Sequence, residues 1–468
     1  MAQFEINDGV AIIPEGTTKF GVGAFRGCTS LTSITIPASV TEIGGYAFEG
    51  CTSLESITIP ESVTNIEDGA FCRCASLKSI TIPESVTKIG DIAFSGCTSL
   101  ENIVVADGNP VYDSREGCNA IIETTTNTLI KGCKTTVVPE SVTEIGDDAF
   151  SGCTSLESIT IPNSVTEIGK GAFSGCTSLE NITIPESVTE IGNWVFSGCT
   201  SLENITIPES VTEIGTKAFN GCTSLKSVTI PELVTKIGRE AFDRCTSLKS
   251  ITIPESVTYI GNYAFYECTS LESIIIPNSV TEIGHWALYG CTSLKSITIP
   301  DSVTKIEYRT FSDCTSLENI TIPESVTKIE EGTFYGCTSL KSIIIPNSVT
   351  KIEWGAFYGC TSLKSVTIPE SVTKIGREAF RDCTSLESIV TPKGVKEIKG
   401  YAFTGCTSLT TLTLPIGVNK IEERVFDECS ALAAINVPAG KADYYKKRLP
   451  RYWHDKIVEL EPEKKTKK

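Results

Sequence analysis

Twenty cysteines, two histidines and several periodic columns of carboxylates, hydroxyls and aromatic rings are the groups in this 468-residue chain that could do chemistry. Seventeen of the cysteines fall in one register: Cys28, Cys51, Cys74 and Cys97, then Cys153 and every 23 residues onward to Cys406 and Cys429. A cysteine can form a disulfide, ligate a metal or act as a nucleophile. Here each one sits between a small turn and an apolar run, the place of a small buried hydrophobe. Parallel, inward-pointing side chains on adjacent coils rarely meet disulfide geometry. Free buried thiols are therefore expected. Cys72-Arg73-Cys74 is a lone C-x-C with no second pair at zinc-finger spacing, so no metal site is expected.

No catalytic constellation is visible. The two histidines, His285 on an outer turn beside Trp286 and His454 near the C-terminus, have no nucleophile and orienting group spaced around them. No HExxH, P-loop, GxGxxG or GxSxG motif occurs. The Ser, Thr and Cys residues recur with the period and read as scaffold. The expectation is a protein that is not an enzyme and has no cofactor. Net charge is -17 with a pI near 4.8. That argues against nucleic acid, which asks for clustered Lys and Arg. No stretch approaches 18 consecutive apolar residues, so no membrane span is expected. Met1-Ala2-Gln3-Phe4-Glu5 opens with no basic stretch followed by an apolar run. As it stands the chain reads as cytoplasmic; with a leader removed, it reads as secreted or on the cell surface.

The elements that must carry these side chains follow from the same period. From Cys153 the unit reads Leu156, Ile159 and Ile161, an L-x-x-I-x-I pattern whose end alternates as a half-buried strand does. Pro162 ends the strand by removing a donor. Val165 and Ile168 point inward again, and Gly169 permits a tight bend. Ala172-Phe173 reads as one helical or 3₁₀ turn, and Gly175 returns the chain to Cys176. One unit cannot bury enough surface to fold alone, so the repeats must stack into a continuous core.

The pattern L-x-x-I-x-I-P-x-S-V-x-x-I-G-x-x-A-F-x-G-C resembles the leucine-rich repeat in its BspA-like class, over about residues 9 to 440. The resemblance implies an α/β solenoid: a curved, right-handed leucine-rich repeat superhelix with a parallel inner β-sheet and short helical or 3₁₀ turns outside. Ser39, Ser62, Ser141 and Ser164 stand where that family places Asn or Cys, and a Ser hydroxyl can likewise bond turn backbone between coils. The sequence departs from its own pattern at Leu233, at Leu288, and at Gly394, Gly417 and Gly440, which replace the Ser.

The organisation read from these signals has six parts. Residues 1–27 form an N-terminal cap and partial repeat, with Phe4 and Ile6 sealing the first coil. Repeats fill 28–106. Residues 107–138 form an irregular repeat, because Cys97 and Cys153 are 56 residues apart. Apolar runs at 120–122 and 129–130 around a polar turn predict a β-hairpin there, either a tolerated insertion or a protruding contact element. Repeats resume over 139–438. A C-terminal cap spans 439–460, with a short helix near 443–448 and Tyr452, Trp453, Ile457 and Val458 covering the end of the core. Residues 461–468 read as a disordered tail.

Binding belongs where positions vary on an invariant scaffold. The exposed strand face carries a Thr column (Thr160, Thr183, Thr206, Thr229, Thr252), which suits an exposed strand in any case. Glu144, Glu167, Glu190 and Glu213 form a column of like charge, read as solvated. The outlier is aromatic. Tyr266, Tyr289, Tyr335 and Tyr358 occupy one outer-turn column interrupted by Ser312, with Tyr263, Trp286, Tyr308 and Trp354 beside it. These eight are the candidate partner-binding residues; local packing along the outer side is the competing reading. The expected function is non-catalytic recognition of a protein ligand. The BspA-like resemblance implies a surface adhesin for host or matrix proteins; an intracellular scaffold is the alternative, and carbohydrate binding a third class.

Overall fold

The computed structural model describes residues 4–461. Residues 462–468, most of the expected disordered tail, lie outside the described residues, as do the first three residues of the expected cap. The chain divides into two compact units, residues 1–233 and 234–468. Each is a stack of parallel strands wound as a solenoid, about twenty turns over the two.

One coil of the first unit shows the construction. Ser158–Thr160 forms a strand with Ile159 buried and its neighbours exposed, and it pairs in register and parallel with Asn181–Thr183. The Val165 N–H donates to Pro162 O at 3.1 Å and closes the turn. Glu167–Ile168 then forms a second strand, parallel to Glu144–Ile145. Each coil thus adds to two parallel ladders, where the sequence predicted only one. Two consecutive residues carry too little period to register as a strand.

The outer side corrects the expectation of helical or 3₁₀ turns. Alternate N–H groups bond backward within the coil and forward to the next. Tyr358 donates to Gly355 O at 3.0 Å and Cys360 to Phe357 O at 3.2 Å. Between them, Gly355 donates to Arg377 O at 2.9 Å, Phe357 to Ala379 O at 2.8 Å and Gly359 to Arg381 O at 2.8 Å. A helix would keep every donor inside the coil; this alternation needs left-handed backbone at two sites per coil. Gly355 and Gly359 supply it at φ 56° and 71°. Among the described residues the only helices are Ala442–Lys446 and the 3₁₀ segments Arg115–Gly117 and Arg451–Lys456. The "α" of the expected α/β class is therefore absent from the repeats.

Three side-chain ladders complete the stacking. Ser302 donates to Val280 O at 2.7 Å, as Ser62 does to Val40 O at 2.6 Å. In most coils the cysteine donates its S–H to the Phe carbonyl of the coil before, as Cys74 does to Phe48 O at 3.1 Å and Cys360 to Phe334 O at 3.2 Å; Cys314 uses Leu288 O, and Cys118, Cys133 and Cys153 use the carbonyls of Ala120, Asn119 and Gly132. All twenty cysteines are free, and all but Cys28 are buried. Buried phenylalanines stack between coils, with centroids 5.0 to 5.4 Å apart from Phe25 to Phe94. In the second unit Leu288 interrupts that column after Phe265, and it resumes from Phe311 to Phe426 with Trp453 edge-on at its end.

Where the period breaks, Ala120–Glu123 and Thr128–Gly132 pair antiparallel, and the second of these pairs parallel with Glu144–Ile145. The hairpin is built into the stack: Ala120, Ile121, Ile122 and Leu129 are fully buried. It supplies no outer turn, so the Gly96 N–H reaches Ser151 O directly at 3.4 Å. At the front, Ile6–Asn7 and Val10–Ala11 form an antiparallel pair and Phe4 stacks on Phe25 at 5.2 Å. At the back, Ile457–Glu459 extends the strand ladder beside Ala434–Val437. Trp453 is buried there, while Tyr452 and Val458 remain exposed.

The ladders make two expectations measurable. Phe334, buried between Phe311 and Phe357, is expected to cost about 3–5 kcal/mol on truncation to Ala. Ser302→Ala, which removes one hydrogen bond, is expected to cost about 0.5–1.5 kcal/mol. Denaturant unfolding compares them, and equal losses would contradict the ladder account. Burial also lifts the thiols, Cys51 and Cys222 to about 12. A thiol reagent should therefore label at most a few cysteines in the native protein and all twenty after denaturation. Rapid native labelling of the majority would contradict it.

Candidate functional site

The two units differ sharply in charge. Residues 1–233 carry 11 Lys and Arg against 29 Asp and Glu; residues 234–468 carry 29 against 28. The -17 of the whole chain thus resides in the first unit.

In the first unit Glu144 lies opposite Glu167, and Glu190 opposite Glu213, across parallel pairs. The same position in the second unit holds Lys328, Lys351 and Lys374 in register. Their repulsion is offset by glutamates standing where other coils have Gly. Glu330 is 2.8 Å from Lys328, and Glu353 lies 3.5 Å from Lys328 and 3.0 Å from Lys374. Further on, burial alone would raise the Glu422 carboxyl, but the Gly400 N–H and the Lys420 and Lys399 ammonium groups outweigh it and hold it at about 2. On the strand face Ile275, Ile344 and Val390 interrupt the Thr column, more than 60% exposed each.

The eight aromatic candidates all lie on the outer turns of the second unit, and the structure gathers them into two groups. Tyr263 stacks on Trp286 (6.0 Å, 8°) and Tyr266 on Tyr289 (4.8 Å, 10°), with Tyr308 edge-on to Trp286 at 6.0 Å. Tyr335 stacks on Tyr358 (4.6 Å, 8°) and lies beside Trp354 at 6.5 Å. The rings are half-buried, Tyr308 slightly more open. Because they stack along the repeat, their faces meet each other; the Trp286 indole N–H is buried without a partner. Burial, then a hydrogen bond to Asp313, lifts the Tyr289 phenol to about 12; Asp382 acts likewise on Tyr358.

Sequence reasoning missed the arginines. Arg239 lies over Tyr263 and Arg244 over Tyr266, both at 5.6 Å; Arg381 lies over Tyr358 at 5.5 Å. Arg309 joins the two groups, 5.0 Å from Trp286, 5.2 Å from Tyr335 and 5.4 Å from Trp354. The signal was present: Arg309 follows Trp286 by 23 residues, and Arg381 follows Tyr358 by 23. Stacked cation–π contacts of this kind stabilise by about 0.5–2 kcal/mol each.

The described residues hold no group of three metal-ligating side chains and no helix long and apolar enough to cross a membrane. The description "BspA type Leucine rich repeat region" matches residues 9–114, 130–249, 235–361 and 328–447. Comparison with the curated proteins gives no match. Among solved structures, a leucine-rich repeat protein from Eubacterium ventriosum is 27% identical with a TM-score of 0.53, covering 60% of this chain and 82% of its own. One from Bacteroides ovatus is 27% identical over 97% of this chain and 94% of its own, with a TM-score of 0.44. A leucine-rich cell surface protein from Faecalibacterium prausnitzii is 26% identical over 94% of each chain, with a TM-score of 0.39.

The depressed Glu422 carboxyl has a pH consequence. Its contribution to stability is complete above the unfolded value near 4.5 and is lost as pH falls toward 2. Glu422→Gln should therefore flatten the acid limb of the stability curve between those values and leave the limb above pH 7 unchanged. Identical acid limbs would show that the network carries no stability.

Proposed function

Since the chain belongs to the BspA-type leucine-rich repeat family, we propose that it is a non-catalytic recognition protein whose ligand is another protein, bound at the outer turns of residues 263–358. Families of this fold are generally binding scaffolds, typically for proteins. The observation that carries the reading is the aromatic and arginine array. Tyr, Trp and Arg are the residues in which binding energy concentrates at protein interfaces. Here they are held in register before any partner arrives, where coils of the first unit carry Ser151, Ser174 and Ser197. Preorganised side chains lose little entropy on binding.

The same geometry weighs against carbohydrate. A pyranose stacks on an open aromatic face, but Trp286 has Tyr263 and Arg309 over its ring. Adhesion to host or matrix proteins is the role the family resemblance suggests. The intracellular scaffold is favoured by one observation, twenty free thiols, which suit a reducing compartment.

The test replaces Tyr289, Tyr335 and Trp354 by Ser, the residue of the earlier coils at the tyrosine position. Wild type and variant are immobilised and offered the proteins of fractionated native host cells and purified matrix proteins. The expected result is retention by wild type, lost in a variant that still unfolds cooperatively. Retention by both would place binding elsewhere. Retention of cytosolic proteins alone would reject adhesion and leave the scaffold.

A further inference from the structure

Six arginines line the outer turns of the second unit, and one differs from the rest. Arg239 pairs with Glu240 at 2.7 Å and Arg244 with Glu267 at 3.0 Å. Arg377 pairs with Glu378 at 3.2 Å, Arg381 with Asp382 at 3.5 Å and Arg424 with Asp427 at 4.0 Å. Among the described residues no carboxylate oxygen lies within 4 Å of the Arg309 guanidinium, and no protein acceptor takes a hydrogen bond from it. Only three rings hold it, at 5.0 to 5.4 Å.

That guanidinium is fixed by design of the coil. Arg309 sits at φ 54°, a left-handed position that Gly332 and Gly355 occupy in the next two coils. A side chain costs roughly 1 kcal/mol or more there. Its stem lies across Gly332: a Cβ on that glycine would come within 2.8 Å of Arg309 Cγ. The missing side chain thus lets Arg309 lie against the coil that follows, between Trp286 on one side and Tyr335 and Trp354 on the other. A guanidinium carries five N–H donors in a planar fork that matches a carboxylate bidentately. Rings satisfy the face of such a cation and leave its N–H edge unpaired. Asp313, on the same outer turn, is engaged by Tyr289.

We propose that Arg309 is the anchor for a carboxylate of the partner, and that the partner presents an acidic peptide segment to the array. The inference rests on the protein-recognition reading and adds the chemistry of the ligand. The faces of Trp286, Tyr335 and Trp354 hold the half-buried guanidinium in place, and a charge-assisted bidentate pair gains from such fixed geometry. The unit carrying Arg309 is close to neutral, so an acidic segment meets no strong field from that unit's own residues, unlike the acidic first unit.

The experiment uses the full chain and a short fluorescent polyglutamate peptide, with polylysine and heparin as competitors. The variants are Arg309→Gln, Arg309→Lys and, as a control on an outer turn beyond the array, Arg377→Gln; thermal unfolding verifies that each is folded. The expected result is polyglutamate binding that falls at least about tenfold in Arg309→Gln, partly in Arg309→Lys, and not in Arg377→Gln; one bidentate pair to a charged group is of that size. No binding of polyglutamate, or equal binding by Arg309→Gln, would overturn the proposal. Tighter heparin binding that depends on Arg309 would also overturn it in favour of an anionic glycan. Host-protein retention separates this failure from that of the broader reading. Retention that survives Arg309→Gln but not the Tyr289, Tyr335 and Trp354 substitutions rejects the acidic segment alone.

Discussion

Outside the irregular segment, each coil of this protein repeats the one 23 residues earlier, and hydrogen bonds between the two copies hold it. Backbone donors alternate between their own coil and the next; Ser and Cys side chains reach carbonyls of the coil before. A coil by itself leaves these donors and acceptors unpaired and its core open, so its stability depends on its neighbours. The constraint is one of register. An insertion of any length other than a full coil must be absorbed without disturbing the columns on either side. The hairpin over 120–132 does so by adding a strand to one ladder and no outer turn.

The same register builds the candidate site. A tyrosine placed on an outer turn recurs one coil later at a distance set by the backbone, which is the stacking distance of aromatic rings. Two adjacent tyrosines in a column therefore stack without further design. A guanidinium placed in the next coil then covers the last ring. The array is held half-buried by the scaffold's period. The first unit has the same scaffold with Ser95, Ser151, Ser174 and Ser197 in that column and no aromatic residue there, and it carries nearly all of the net charge. One fold thus presents two chemically distinct outer surfaces along one chain.

Much of this was legible in the sequence. The cysteine register gave the coil length, L-x-x-I-x-I gave the first strand, and the free thiols followed from a single column of small inward residues. The Ser ladder was legible from Ser62 and its equivalents, and its loss at Gly394 and Gly417 likewise, but beside the irregular segment it fails: Ser141 accepts from Arg115 and the buried Ser164 hydroxyl has no partner. The outer turns were not. Ala172-Phe173 between two glycines suits a helical turn equally well, and only the donors' partners in the next coil decide against it. Glu167–Ile168 was too short to declare itself a strand. For the site, the tyrosine column was visible because it breaks a run of Ser, whereas Arg309 is one charged residue among many. Its role appears only when Trp286, Tyr335 and Trp354 are found around it.

The account stands on outer turns held rigid by coil-to-coil hydrogen bonds, since these preorganise the array. Amide hydrogen exchange over residues 307–316 and 330–339 tests this most directly. The account predicts protection of the alternating donors, among them Arg309, Phe311, Asp313, Gly332 and Phe334, comparable to that of the neighbouring strands. Exchange of these amides at the rate of an open loop would contradict it, and with it the preorganised site.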